Sequence, residues 1–139
     1  MKIKKQLHIV LIEDDEIDAM TFKRAMQNLG IDKPLHVISS CSEALELLEK
    51  ELIPKPYVIV LDLNVPGLNG IEFLKAIRST ENSQFASVVV LTTSSQEKDK
   101  SDAYLYHVSG YFIKQLKYDD FIKQLNIINN YWDMCEFPN

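Results

Sequence analysis

Short, almost wholly apolar runs alternate along this chain with stretches in which apolar residues recur every three or four positions. That alternation predicts βαβ units and a parallel sheet. Leu7-His8-Ile9-Val10-Leu11-Ile12 is the first predicted strand, nearly all apolar, as a strand covered on both faces should be. Ala19, Phe22, Met26 and Leu29 then repeat at helical spacing, and Gly30 ends that helix. Leu35-His36-Val37-Ile38 is a short second strand. Ser40-x-x-Glu43 matches a capping box ahead of a helix carrying Ala44, Leu45, Leu48 and Leu52, which Pro54 and Pro56 end.

Tyr57-Val58-Ile59-Val60-Leu61 is the most β-like run and delivers Asp62 at its carboxyl end. A Pro66-Gly67 turn follows, and Asn69-x-x-Glu72 opens a third helix with Phe73, Leu74 and Ile77 facing inward. Val88-Val89-Val90-Leu91 is the fourth strand, ending at Thr92-Thr93-Ser94-Ser95. The helix after it, about Gln96 to Val108, has a polar start and an aromatic end. Gly110-Tyr111-Phe112-Ile113 is the fifth strand and ends at Lys114. Phe121, Leu125, Ile128 and Trp132 make one stripe on the last helix. Five strands and five helices use residues 1–139 as a single α/β domain, with a carboxyl-terminal tail from about residue 133 and no output domain.

Composition narrows the classes of function. Fifteen basic against 20 acidic residues give a net charge of −5, which argues against a nucleic-acid binder with its basic stripe. Cys41 and Cys135 have no metal-type spacing and are read as reduced thiols of a cytoplasmic protein. The basic start over residues 1–6 precedes an apolar run too short for a signal peptide. No stretch approaches the roughly 20 apolar residues that span a bilayer.

Ligands of open parallel sheets bind beyond the carboxyl ends of the strands, near the point where strand order reverses. The pattern puts Glu13 and Asp14 there after the first strand, Asp62 after the third, Thr92 after the fourth and Lys114 after the fifth. Three crowded carboxylates repel one another and call for a cation. An oxygen-rich site of this kind suits Mg²⁺, with Mn²⁺ as a substitute. A carboxylate can also act as a nucleophile and form an aspartyl phosphate, whose charged oxygens need a metal, a cation and a hydroxyl around them. Lys114 and Thr92 are groups of the required kind.

The runs Leu11-Ile12-Glu13-Asp14-Asp15, Leu61-Asp62-Leu63-Asn64-Val65-Pro66-Gly67-Leu68-Asn69-Gly70, Val90-Leu91-Thr92-Thr93-Ser94 and Gly110-Tyr111-Phe112-Ile113-Lys114 together resemble a response-regulator receiver domain over essentially the full chain. The resemblance implies a flavodoxin-like (βα)5 doubly wound sheet of strand order 2-1-3-4-5. It implies that Asp62 accepts a phosphoryl group from a histidine kinase. Asp14 and Asp62 would ligate Mg²⁺ directly, Glu13 through water, and Asn64 through its backbone carbonyl. Thr92 and Lys114 would bind phosphoryl oxygens, and Tyr111 would be the switch that swings inward as Thr92 moves. Asn64 and Ser94 flank the line of water attack and would tune the lifetime of the phosphoryl group. The third- and fourth-strand motifs look like those of stand-alone receivers associated with phytochrome-type and hybrid kinases. Without an output domain the signal would leave by protein–protein contact or as a phosphorelay intermediate.

One departure concerns Lys114. The family usually follows this lysine with a cis proline that aims it, and here Gln115 stands there. A non-proline cis bond costs about 2.5–4 kcal/mol, so a trans path or a strained loop is expected. Gln115 also keeps a rival reading in view, a receiver-like docking module that is never phosphorylated. A phosphatase with an aspartyl nucleophile would need an acid two residues after Asp62, where Asn64 stands. A phosphate-binding flavoprotein would not carry so acidic a first loop.

Several residues have plainer readings. Asp15, Glu16 and Asp18 read as solvated acids, and His8, His36 and His107 show no ligand spacing. Tyr104, Tyr106 and His107 could join Tyr111 in a partner surface or could be core packing. Trp132 and Phe137 are expected to dock the carboxyl end on the body, with homodimerisation the alternative.

Overall fold

The computed structural model describes residues 5–138; most of the basic segment read over residues 1–6 lies outside them. Five parallel strands form one sheet in the order β2-β1-β3-β4-β5. They are β1 (His8–Ile12), β2 (Leu35–Ile38), β3 (Tyr57–Leu61), β4 (Ser87–Thr92) and β5 (Gly110–Ile113). Helices α1 (Glu16–Asn28), α2 (Cys41–Glu49), α3 (Gly70–Arg78), α4 (Glu97–Leu105) and α5 (Tyr118–Met134) connect and follow them. This is the expected flavodoxin-like architecture and strand order.

The three central strands are apolar along their middles because both of their faces are covered. Val10, Ile12, Ile59, Leu61, Val88 and Val90 point to a core shared with α2, α3 and the single buried residue of α4, Ala103. Ile9, Leu11, Val58, Val60, Val89 and Leu91 point to the other face, under α1 and α5. The expected stripe of Phe121, Leu125, Ile128 and Trp132 is buried there, and half-buried Phe137 packs beside it. Helix α5 runs through Met134, two residues into the segment read as a tail.

Two helix ends differ from expectation. Helix α2 stops at Glu49, and Leu52 is exposed beyond it. Local hydrogen bonding ends it before either proline: Glu51 N–H donates to Leu48 O at 3.2 Å and Leu52 N–H to Leu47 O at 3.0 Å. That is a Schellman closure, and it puts Glu51 at φ 54°. Helix α1 closes the same way, but with Gly30 at φ 67° in the left-handed position. Helix α4 spans only Glu97–Leu105, because Tyr106 N–H turns back to Ala103 O and His107 adopts φ 62°.

Arg78, at the end of α3, fixes that corner. Its guanidinium donates to the carbonyl oxygens of Tyr106 (2.8 Å), Gln84 (3.1 Å), Ala86 (2.7 Å) and His107 (3.0 Å). One planar donor fork thereby satisfies four backbone acceptors from two loops.

Candidate functional site

Strand register brings the carboxyl-end residues together. Ile12 pairs with Leu61, so Glu13 and Asp62 leave adjacent strands at the same level. Asp62 N–H donates to Ile12 O at 3.3 Å, and Glu13 N–H to Ile38 O at 3.0 Å. Leu61 pairs with Val90 and Thr92 with Ile113, which carries Thr92 and Lys114 to the same end of the sheet. Each of Glu13, Asp14 and Asp62 offers a carboxylate oxygen lying within 4.8 Å of the others. Asp14 is exposed, Asp62 half-buried and Glu13 buried. An all-oxygen set with one accessible edge fits a hard dication that keeps part of its water shell.

The Asp62 carboxylate is held from three sides. Thr92 Oγ1 and Asn64 N–H donate to Oδ1 at 3.1 and 3.0 Å. Lys114 Nζ stands 3.8 Å from Oδ2. The Lys114–Gln115 peptide is trans, so the route without cis proline is the one taken, and the ammonium still reaches the site. The same Nζ donates to Glu13 Oε1 at 2.8 Å and to Asp18 Oδ2 at 3.3 Å. Burial alone would lower the lysine's pKa, but the hydrogen bond it donates to Glu13 and the charges of Glu13, Asp62 and Asp18 outweigh it and hold the pKa above the ordinary value. Burial raises the Glu13 carboxyl, and the Lys114 contacts only partly offset that. Burial, helped by the charge of Asp62, pushes the Cys41 thiol up to about 12, so it stays neutral beside the site.

The loops explain why the motif residues are of these types. Asn69 caps α3 by accepting from Glu72 N–H at 2.9 Å. A Cβ on Gly70 would stand 2.9 Å from Leu63 Cα, so only glycine lets α3 approach the loop that carries Asp62. Asn64 Nδ2 reaches Thr92 Oγ1 at 3.3 Å and Thr93 Oγ1 at 3.4 Å. Tyr111 donates its hydroxyl to Ser94 O at 2.8 Å. The Ser94 hydroxyl itself donates to Asp99 of α4. Of the two residues expected beside the line of water attack, Asn64 bonds Asp62 and Ser94 bonds α4.

Four residues read as bland do more. Asp15 caps α1, accepting from Asp18 N–H at 3.0 Å. Asp18, read as solvated, pairs with Lys114. His8 and His36 meet across β1 and β2, Nδ1 to Nε2 2.9 Å, with rings only 18° from parallel. A groove of about 380 Å³ opens beside Asp62 between α1 and the β5–α5 segment, walled by Ile17, Phe22, Leu116 and Phe121. Among the described residues no helix is long and apolar enough to cross a membrane.

A flavodoxin-like sheet with an acid pair, a strand-end aspartate, a hydroxyl and a lysine at its carboxyl edge defines the receiver class. The chain matches that family over residues 9–126 and belongs to the response regulator receiver domains. It is 35% identical over 127 residues to the probable methanogenesis regulatory protein FilR2 of Methanothrix harundinacea, covering 89% of this chain and 82% of that one. It is 32% identical to the response regulator Rcp1 of Synechocystis, covering 89% and 87%. The crystal structure of the Mn²⁺-bound form of Rcp1 superposes with a TM-score of 0.86 over 97% of this chain and 100% of Rcp1. The phosphorylated cyanobacterial phytochrome response regulator RcpA, 27% identical, superposes at 0.89 over 97% and 100%. The chain is therefore a CheY-like receiver of two-component signalling.

Proposed function

We propose that Asp62 accepts a phosphoryl group from a histidine kinase in a Mg²⁺-dependent reaction. Glu13, Asp14, Asp62 and the backbone carbonyl of Asn64 would hold the cation, with Mn²⁺ able to replace Mg²⁺; the Mn²⁺-bound form of Rcp1 supports that choice. When bound, the cation neutralises carboxylate charge and the charge of the transferred oxygens. Asp62 Oδ2 attacks phosphorus, the P–N bond to the donor histidine breaks, and that histidine leaves with the bond's electron pair and takes up a proton. Thr92 donates its hydroxyl, and Lys114 its ammonium, to the phosphoryl oxygens. Asn64 sets how readily water reaches the product. As Thr92 is drawn to the phosphoryl group, Tyr111 is the side chain beside it that responds, through its bond to Ser94 O.

The observation that carries this reading is the convergence on Asp62 of Thr92 at 3.1 Å and Lys114 at 3.8 Å beside two further carboxylates. A docking module that is never phosphorylated has no use for that set. The protein would thus be a cytoplasmic phosphoacceptor that assists its own phosphorylation and dephosphorylation and is not an enzyme acting on others. The likeness to Rcp1 and RcpA favours a phytochrome-type or hybrid kinase as donor, with the signal leaving by protein contact or relay. Incubation with acetyl phosphate should add one phosphoryl group by mass, only with Mg²⁺ and never in Asp62→Asn. Modification that survives Asp62→Asn would overturn the assignment.

A further inference from the structure

The three carboxylates around the Lys114 ammonium are not equivalent. Glu13, at 2.8 Å, and Asp62, at 3.8 Å, belong with Asp14 to the group that can hold a cation. Asp18, at 3.3 Å, does not. A dication seated on that group draws on the oxygens of Glu13 and Asp62 and repels the ammonium. Asp18 is then the carboxylate within 4.0 Å of Nζ that remains committed to the lysine.

Its support is firm. Asp18 lies in the first turn of α1, and its N–H is tied to the capping Asp15 carboxylate at 3.0 Å. The helix amino end also favours a carboxylate there, so its charge is held without cost to the fold. On the lysine's side, Lys114 N–H donates to Thr92 O at 2.7 Å, which fixes the base of the side chain. Between those points the side chain is 13% exposed and has no proline after it to direct it.

We propose that Asp18 is a positioning residue for phosphotransfer, holding the Lys114 ammonium within reach of Asp62 from outside the metal-binding carboxylates. This rests on the reading of Asp62 as phosphoacceptor. Asp18 exchanges no proton and touches no phosphoryl oxygen; it acts through Lys114 alone.

The test is a cycle of variants assayed with acetyl phosphate at saturating Mg²⁺. Asp18→Asn should slow phosphorylation about three- to five-fold, the scale of a partly exposed ion pair. Asp18→Glu should recover most of that rate. In a Lys114→Ala background Asp18→Asn should cost nothing more. Equal losses in both backgrounds, or no loss from Asp18→Asn, would overturn the proposal; thermal unfolding of each variant identifies one that simply folds poorly. Should the native protein take up no phosphoryl group, the Asp62 reading fails on its own. Asp18 is then judged from the nitrogen NMR signal of the Lys114 ammonium in Mg²⁺-loaded protein. A slowly exchanging signal that Asp18→Asn abolishes supports the role, and identical signals in both proteins refute it.

Discussion

The Lys114 ammonium lies nearer to Glu13, at 2.8 Å, than to Asp62, at 3.8 Å, and Glu13 is the more deeply buried of the two acids. Lys114 is therefore the counter-ion of a buried carboxylate as well as the proposed ligand for phosphoryl oxygens. Removing one member of such a pair strands the other. Lys114→Met should lower unfolding free energy by about 1–3 kcal/mol in metal-free buffer at neutral pH, read from urea denaturation. Unchanged stability would mean that Glu13 is protonated in the resting protein.

A cation that binds only the folded site stabilises it by mass action. Mg²⁺ at roughly a hundredfold excess over its Kd should raise Tm by about 5–11 °C. Asp14→Asn removes the most exposed of the three acids and should erase most of that rise, as calorimetry with and without chelator would show. A full rise in Asp14→Asn would locate the cation elsewhere.

The His8–His36 pair makes stability depend on acid. Burial first, then the proximity of His36, lowers the His8 pKa below its ordinary value of 6.5. The folded form therefore binds its proton less readily than the unfolded chain. That contribution is present above about pH 6.5 and is lost as pH falls through 6.5 toward the lowered folded value. Tm should drop over that interval, and His36→Gln should make the drop shallower by the smaller share that His36 contributes. An identical acid profile in His36→Gln would remove the pair from consideration.

Glu51 occupies a left-handed position that its α1 counterpart gives to Gly30. Side chains with a Cβ pay for this conformation, against which glycine's extra freedom when unfolded must be set. Glu51→Gly should stabilise the protein by about 0.5–1 kcal/mol in urea titration. A loss of stability would show that the Glu51 side chain contributes more than its backbone costs.

The candidate site was legible because strands covered on both faces are written as largely apolar runs, and every run but the second ends on a residue of that site. Glu13, Asp14, Asp62, Thr92 and Lys114 needed only that rule and the order of elements. Asp18 was not legible: its partner is 96 residues away, and only the fold shows which helix turn faces Lys114. The histidine pair likewise needs the β1–β2 register, in which Val10, two residues after His8, lies opposite His36. The end of α2 was misplaced because a glutamate gives no sign that it will take a glycine's conformation. Pro54 drew attention to the wrong place.

Arg78 grips the carbonyl oxygens of Tyr106 and His107 just past the far end of α4 and ties them to the loop before β4, whereas Ser94, bonded to Tyr111 and Asp99, stands at the helix's near end. The Gln96 cap makes no side-chain bond, and only Ala103, close to the gripped end, is buried. Mechanically, α4 is a cantilever: built in at one end, lightly tethered at the other. A force applied near Ser94 would swing such a beam instead of sliding it, with the largest excursion expected at the exposed turn beginning at Glu97.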